Sequence, residues 1–139
     1  MPTLTPDVEA AFNTGASVVH LTTLHGDGRP QVTVVWTGVE GGEIVIGHMR
    51  EHQKVKNIRR DSRVALSVLT GGRNAYGLDE YLVVEGTARV TEGGAVELLN
   101  RLAQRYIGPG TKYPAMDDPA AGFVTRVTAT KVGGVGPWV

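Results

Sequence analysis

The chain contains no cysteine, which excludes disulfides, thiolate nucleophiles and every zinc site built on sulfur. That is compatible with a reducing compartment without establishing one. A net charge is also missing: 14 basic and 14 acidic residues cancel. The basic excess by which general nucleic-acid and membrane-surface binders attract phosphates is therefore absent. Aromatic residues are scarce, at 6%, and do not interleave with the basic ones as a nucleic-acid surface would require. No run approaches the roughly 20 apolar residues that cross a bilayer as a helix. The opening "MPTLTPDVEAAF" carries acidic residues where a signal peptide would be apolar. The expectation is a cytoplasmic protein with no nucleic-acid and no membrane partner.

What is present is an ordinary globular composition, 41% hydrophobic and 20% charged, over a length that makes residues 1–139 a single domain. Thr5 and Pro6 start a short helix over 6–14, because proline is tolerated at the first helical position. "SVVHLTTL" (17–24) and "PQVTVVWTGV" (30–39) read as strands joined by the turn "HGDGR", and "EIVIGHM" (43–49) follows in meander order. "RVALSVLT" (63–70), "EYLVVEGTARV" (80–90) and "FVTRVTATKV" (123–132) complete six strands. Residues 71–79 form a glycine-containing loop, and 93–108 carry Val96, Leu98, Leu99, Leu102, Ala103 and Tyr106 at helical spacing. The Pro/Gly-rich stretch 109–122 is too long for a tight connection and is a candidate lid or interface segment. Hairpin-linked strands with few short helices predict a mainly β, six-stranded antiparallel barrel.

The segment "HMREHQKVKNIRRD" (48–61) holds the only local charge excess. Six of the 14 basic residues lie between 50 and 63, against Glu51 and Asp61. His48, Glu51 and His52 match the H-x-x-E-H zinc pattern, but two ligating histidines must share a helix face. His48 ends the apolar strand "IVIG", and a strand-to-helix junction would part the rings. A helix beginning here would instead offer free N–H groups and a positive dipole end to an anion. Helical spacing places Arg50, Lys54 and Asn57 on one stripe, with Val55 and Ile58 facing inward. A solvated charged face is the competing explanation of the same run.

Three segments in order, "GRPQVTVVW" (28–36), "IVIGHMREHQKVKNIRRDSRVALSV" (44–68) and "YLVVEGTARVTE" (81–92), resemble the pyridoxamine 5'-phosphate oxidase-like split β-barrel flavoproteins. More narrowly, they are similar to the branch that uses the deazaflavin coenzyme F420. The most specific piece is a K-x-K/R-N-x-x-R-D-x-R run, met by Lys54, Lys56, Asn57, Arg60, Asp61 and Arg63.

That resemblance implies an FMN-binding split-barrel fold and a homodimer with the cofactor at the interface. The implied activity is hydride transfer between F420 and a small organic acceptor. It further implies that Arg29, Pro30, Gln31, Val32 and Thr33 line the ring edge, that Gly47, His48 and Met49 lie beside the ring and ribityl chain, and that Arg50, Lys54 and Asn57 hold the phosphate. No metal and no catalytic side chain are implied. His52 departs from the pattern, since many relatives carry arginine there. The ending "KVGGVGPWV" lacks the arginine of true pyridoxamine phosphate oxidases, against vitamin B6 chemistry. Trp36, Tyr76, Tyr106, Tyr113 and Trp138 are the aromatics available to stack on a ring, with core or interface packing as the plainer role of each. The alternatives are an FMN-dependent oxidase or reductase on the same barrel, and a flavin-, deazaflavin- or heme-binding protein without turnover.

Overall fold

The computed structural model describes residues 4–139; the first three residues of the expected 1–139 domain lie outside the described residues. Along the chain run α1 (Pro6–Asn13), β1 (Val19–Leu24), β2 (Pro30–Val35), β3 (Gly38–Glu40), β4 (Glu43–His48), α2 (Gln53–Arg60), β5 (Arg63–Arg73), β6 (Asp79–Glu92), α3 (Ala95–Tyr106) and β7 (Phe123–Val135). All strand pairs are antiparallel, and the strands are ordered β2-β1-β5-β6-β7-β4-β3. No helix among the described residues is long and apolar enough to cross a membrane.

The order of the strands, set against the chain, explains the barrel. β2 and β3 are the two outer edges of the sheet, yet only Trp36 and Thr37 separate them. Two linking residues span roughly 10 Å at full extension. The sheet must therefore curl until its edges nearly meet, and the seam between them stays unpaired, as in a split barrel.

The expected single strand 30–39 is thus two strands, making seven where six were expected. The backbone leaves the ladder because it finds other partners at the break. Thr37 N–H donates to the Tyr106 hydroxyl at 3.2 Å, and its carbonyl accepts from Arg105 at 2.5 Å. The 71–79 loop is shorter than expected as well: β5 and β6 continue to Arg73 and Asp79 across a register shift that contains Gly71 at φ +88. β7 extends to Val135, past the expected strand end at Val132.

Ile44, Val45 and Ile46 are all buried, at 0%, 0% and 1% exposure, because β4 is covered on both faces. Ile44 and Ile46 enter the main core with Phe12, Leu21, Leu66 and Leu82. Val45 joins Leu98, Leu102 and Val124 in a smaller cluster with Trp36 and Tyr106 at its margin. The α3 stripe Leu98, Leu99, Leu102 thus seals the outside of β4. Arg105, at the end of the same helix, donates to the carbonyls of Phe12, Asn13, Gly15 and Thr37, which fastens α1 and the seam together.

Candidate functional site

Beside the seam, two adjoining cavities of about 480 and 200 Å³ share Gly47, Lys54, Leu99 and Tyr113 and form one groove. Its larger end is walled by His48, Met49, Arg50, His52, Met116 and Ala120. Its smaller end is walled by Val18, Val34, Val35 and Trp36. β4 supplies Gly47, where a side chain would press on Leu99, and α2 supplies Lys54 from its first turn. The 109–122 loop enters through Tyr113, whose ring lies 5.2 Å from Trp36, while Trp36 stacks on Tyr106 at 5.4 Å and 5°.

Charge distinguishes this groove from the other cavities. Its lining holds Arg50 and Lys54 and no carboxylate. The cavity under α3 and the loop is lined by Glu97, Asp117 and Asp118. The one beside β3 holds Glu40 bridged to Arg101 and Arg126, a self-neutralising set.

The basic run of α2 divides into spent and free cations. Arg59 pairs with Glu51 and lies over the Phe123 ring, Arg63 pairs with Asp61 at 2.7 Å, and Arg60 donates to the Leu24 carbonyl at 2.6 Å. Arg50 and Lys54 face the groove, and Lys56 is exposed on the helix. Lys54 Nζ donates to Thr33 Oγ1 at 3.3 Å, and partial burial holds its ammonium below the usual lysine range.

The stripe expected from Arg50, Lys54 and Asn57 does not form. α2 begins only at Gln53, so Arg50 precedes it in a bend closed by His52 N–H to the Arg50 carbonyl at 2.9 Å. Asn57 is fully buried: its amide donates to Thr23 Oγ1 and Gln31 Oε1, both at 3.1 Å, and its oxygen accepts from Gln53 and Arg60. It ties α2 to β1 and β2, and a ligand reaching it would have to displace these bonds.

The remaining expected residues separate along β2. Gln31 and Thr33 point inward, to Asn57 and Lys54. Val32 is 60% exposed on the opposite face, and Pro30 is exposed at the strand start. Arg29 is held in the β1–β2 turn by Asp27 at 2.6 Å. Gly47, His48, Met49, Arg50 and Lys54 line the groove together.

His48 is 3% exposed, and its Nε2 shares a 2.8 Å hydrogen bond with Thr125 Oγ1. Burial, then Lys54 and then His52 push its imidazole down to about 3. The ring of His52 lies 6.5 Å from that of His48, and no group of three metal-ligating side chains converges among the described residues. Leu99, Met116 and Ala120 were not singled out as site residues: the helical period marked Leu99 as core, and a loop has no period to reveal which side chains turn inward. Trp138 packs on the core of its own chain, and Tyr76 stands 89% exposed at the β5–β6 hairpin.

Residues 4–136 match the protein family described as pyridoxamine 5'-phosphate oxidase. No curated protein matches the chain. Among solved structures, an F420 reductase is 29% identical with a TM-score of 0.74, the match covering 93% of this chain and 98% of that one. Conserved hypothetical protein Rv2991 from Mycobacterium tuberculosis is 28% identical with a TM-score of 0.71, over 94% of this chain and 83% of its own. A heme binding protein from Mycobacterium smegmatis shares the fold at 20% identity and a TM-score of 0.62, over 92% of this chain and 51% of its own. A split barrel with its groove at the strand-to-helix junction, matched by one family over nearly the whole length, places this chain in the pyridoxamine 5'-phosphate oxidase family.

Proposed function

We propose that the chain is an F420-dependent oxidoreductase that works as a homodimer and transfers a hydride to a small organic acceptor. The observation that carries this reading is the acid-free groove, which joins the cations Arg50 and Lys54 to an apolar wall of Val18, Val34, Trp36 and Leu99. Arg50 and Lys54 suit the phosphate of a flavin or deazaflavin tail, because a charge-assisted hydrogen bond to an anion is among the stronger polar contacts available. Trp36, Val34 and Leu99 offer the apolar surface that a tricyclic ring requires. The likeness to an F420 reductase over 93% of the chain favours the deazaflavin over FMN.

When bound, the cofactor would supply the hydride chemistry itself. The protein's part is to position and to exclude water. Thr33 accepts from the Lys54 ammonium, and Tyr113, packed against Trp36 and with its N–H donating to Asn100 Oδ1 at 3.1 Å, lines both ends of the groove. His48 stays neutral and engaged with Thr125, so it is no proton donor near neutral pH.

The FMN reading keeps the same residues, since two free cations also suit a phosphomonoester. The test is a fluorescence titration, following Trp36 and Trp138, with oxidised F420 and FMN in parallel. Saturable quenching by F420 with little response to FMN is the expected result. The reverse preference moves the protein to the FMN branch, and no response to either removes the groove as a flavin site.

A further inference from the structure

His52 lines the groove and stands at the N-cap position of α2, where its side chain caps nothing. The charged and titratable groups around it are Lys54 on α2, Arg50 in the preceding bend, neutral His48 at the end of β4, and Tyr113 on the 109–122 loop. α3 presents only Leu99 there. Glu51, its sequence neighbour, is turned away into its pair with Arg59. No carboxylate lines this cavity, so nothing in the free groove favours an imidazolium, while two cations oppose one. An entering anion reverses the sign of that field.

We infer that His52 is a third contact for the phosphate-bearing end of the ligand, and that its imidazole takes up one proton from solvent as the anion is bound. The inference rests on the proposed reading of the groove as a site for a phosphorylated flavin or deazaflavin. A histidine in this place makes the grip on the anion depend on pH, which a permanently charged arginine would not. In the free protein, partial burial, then Lys54 and then Arg50 hold the ring below the usual histidine range. The bound anion raises it. The added affinity is therefore complete below the free-state pKa and is lost as pH rises through the bound-state pKa. Between the two, one linked proton makes Kd rise toward about tenfold per pH unit.

The dissociation constant for oxidised F420 would be measured from pH 5.5 to 8.5 for the wild type, His52→Gln and His52→Arg. In parallel, the His52 ring resonances of the wild type would be titrated with and without F420. The linking phosphate of F420 is a diester and does not ionise in this range, and subtracting the His52→Gln profile removes titrations of the ligand ring and of other groups. The expected result is a wild-type slope steeper than that of His52→Gln by up to one proton. His52→Arg should bind at pH 8 as tightly as the wild type does at pH 6, and the His52 resonance should titrate at higher pH in the complex. Parallel profiles for wild type and His52→Gln, or a ring pKa unmoved by F420, overturn the inference. Failure of every variant to bind F420 or FMN at any pH overturns the groove reading, and this inference with it.

Discussion

His48 and His52 are four residues apart and both line the groove, yet their surroundings differ: His48 is buried and engaged with Thr125, whereas His52 has no side-chain partner among the described residues. For His48 the sign of the pH effect follows from its depressed pKa. The unfolded chain binds a proton below the ordinary value of 6.5, whereas the folded ring does so only near 3. Stability present above pH 6.5 should therefore be lost as pH falls toward 3, at about 1.4 kcal/mol per pH unit. Urea midpoints across that range, compared with His48→Gln, measure it: the variant should show the shallower decline, and equal declines would mean that His48 is not buried neutral. Lys54 provides the residue-scale test of the groove. Lys54→Ala removes the cation that reaches Thr33 and the groove together, and is expected to weaken F420 binding by about 1–3 kcal/mol. Equal affinity in a calorimetric titration would take Lys54 out of the site.

Among the elements, the contact between β4 and α3 decides the shape of the groove floor. A Cβ at Gly47 would lie 2.8 Å from Leu99 Cγ, and Leu99 is itself buried by the helix stripe. Gly47→Ala should destabilise by about 1–3 kcal/mol through overpacking. Adding Leu99→Ala opens that space, so the double variant should be more stable than the sum of its parts. Additive urea midpoints would show that α3 does not press on Gly47. The same elements show what sequence can reveal. Strand alternation and the α3 period come from burial on one face, and both were legible; so was the continuous "IVI" run, which both faces of β4 bury. The break at Trp36 and Thr37 was not, because it depends on Tyr106 and Arg105, about 70 residues away. The fate of the basic run was equally hidden. Arg59, Arg60 and Lys54 are alike in sequence, and only the folded positions of Glu51, the Leu24 carbonyl and Thr33 divide spent cations from free ones.

At the scale of the whole molecule, the outer face of the barrel wall is the feature one chain leaves unexplained. The register places Val32 and Val34 of β2 beside Thr22 and His20 of β1, then Ala65 and Ser67 of β5, with Leu69 opposite Tyr81 of β6. Val32, Val34, Leu69 and Tyr81 are 60%, 55%, 60% and 41% exposed, an apolar set of the kind that marks an association surface. Val18 and Val34 belong both to this face and to the groove wall, so whatever covers the face also closes the groove's open side. A second copy seated there by a two-fold axis would bury the same patch on both chains and complete two grooves at once. Sedimentation of the wild type should therefore give twice the 14.8 kDa chain mass. Leu69 lies on the face and outside the groove, which makes Leu69→Asp the informative change. A buried, unpaired carboxylate on each side of the axis should split the dimer. If the groove is completed across the interface, F420 affinity should fall with it although every groove residue of the chain is intact. A Leu69→Asp monomer that still binds F420 at wild-type affinity would show that one chain makes the whole site, and a wild type sedimenting at a single chain mass would remove the dimer itself.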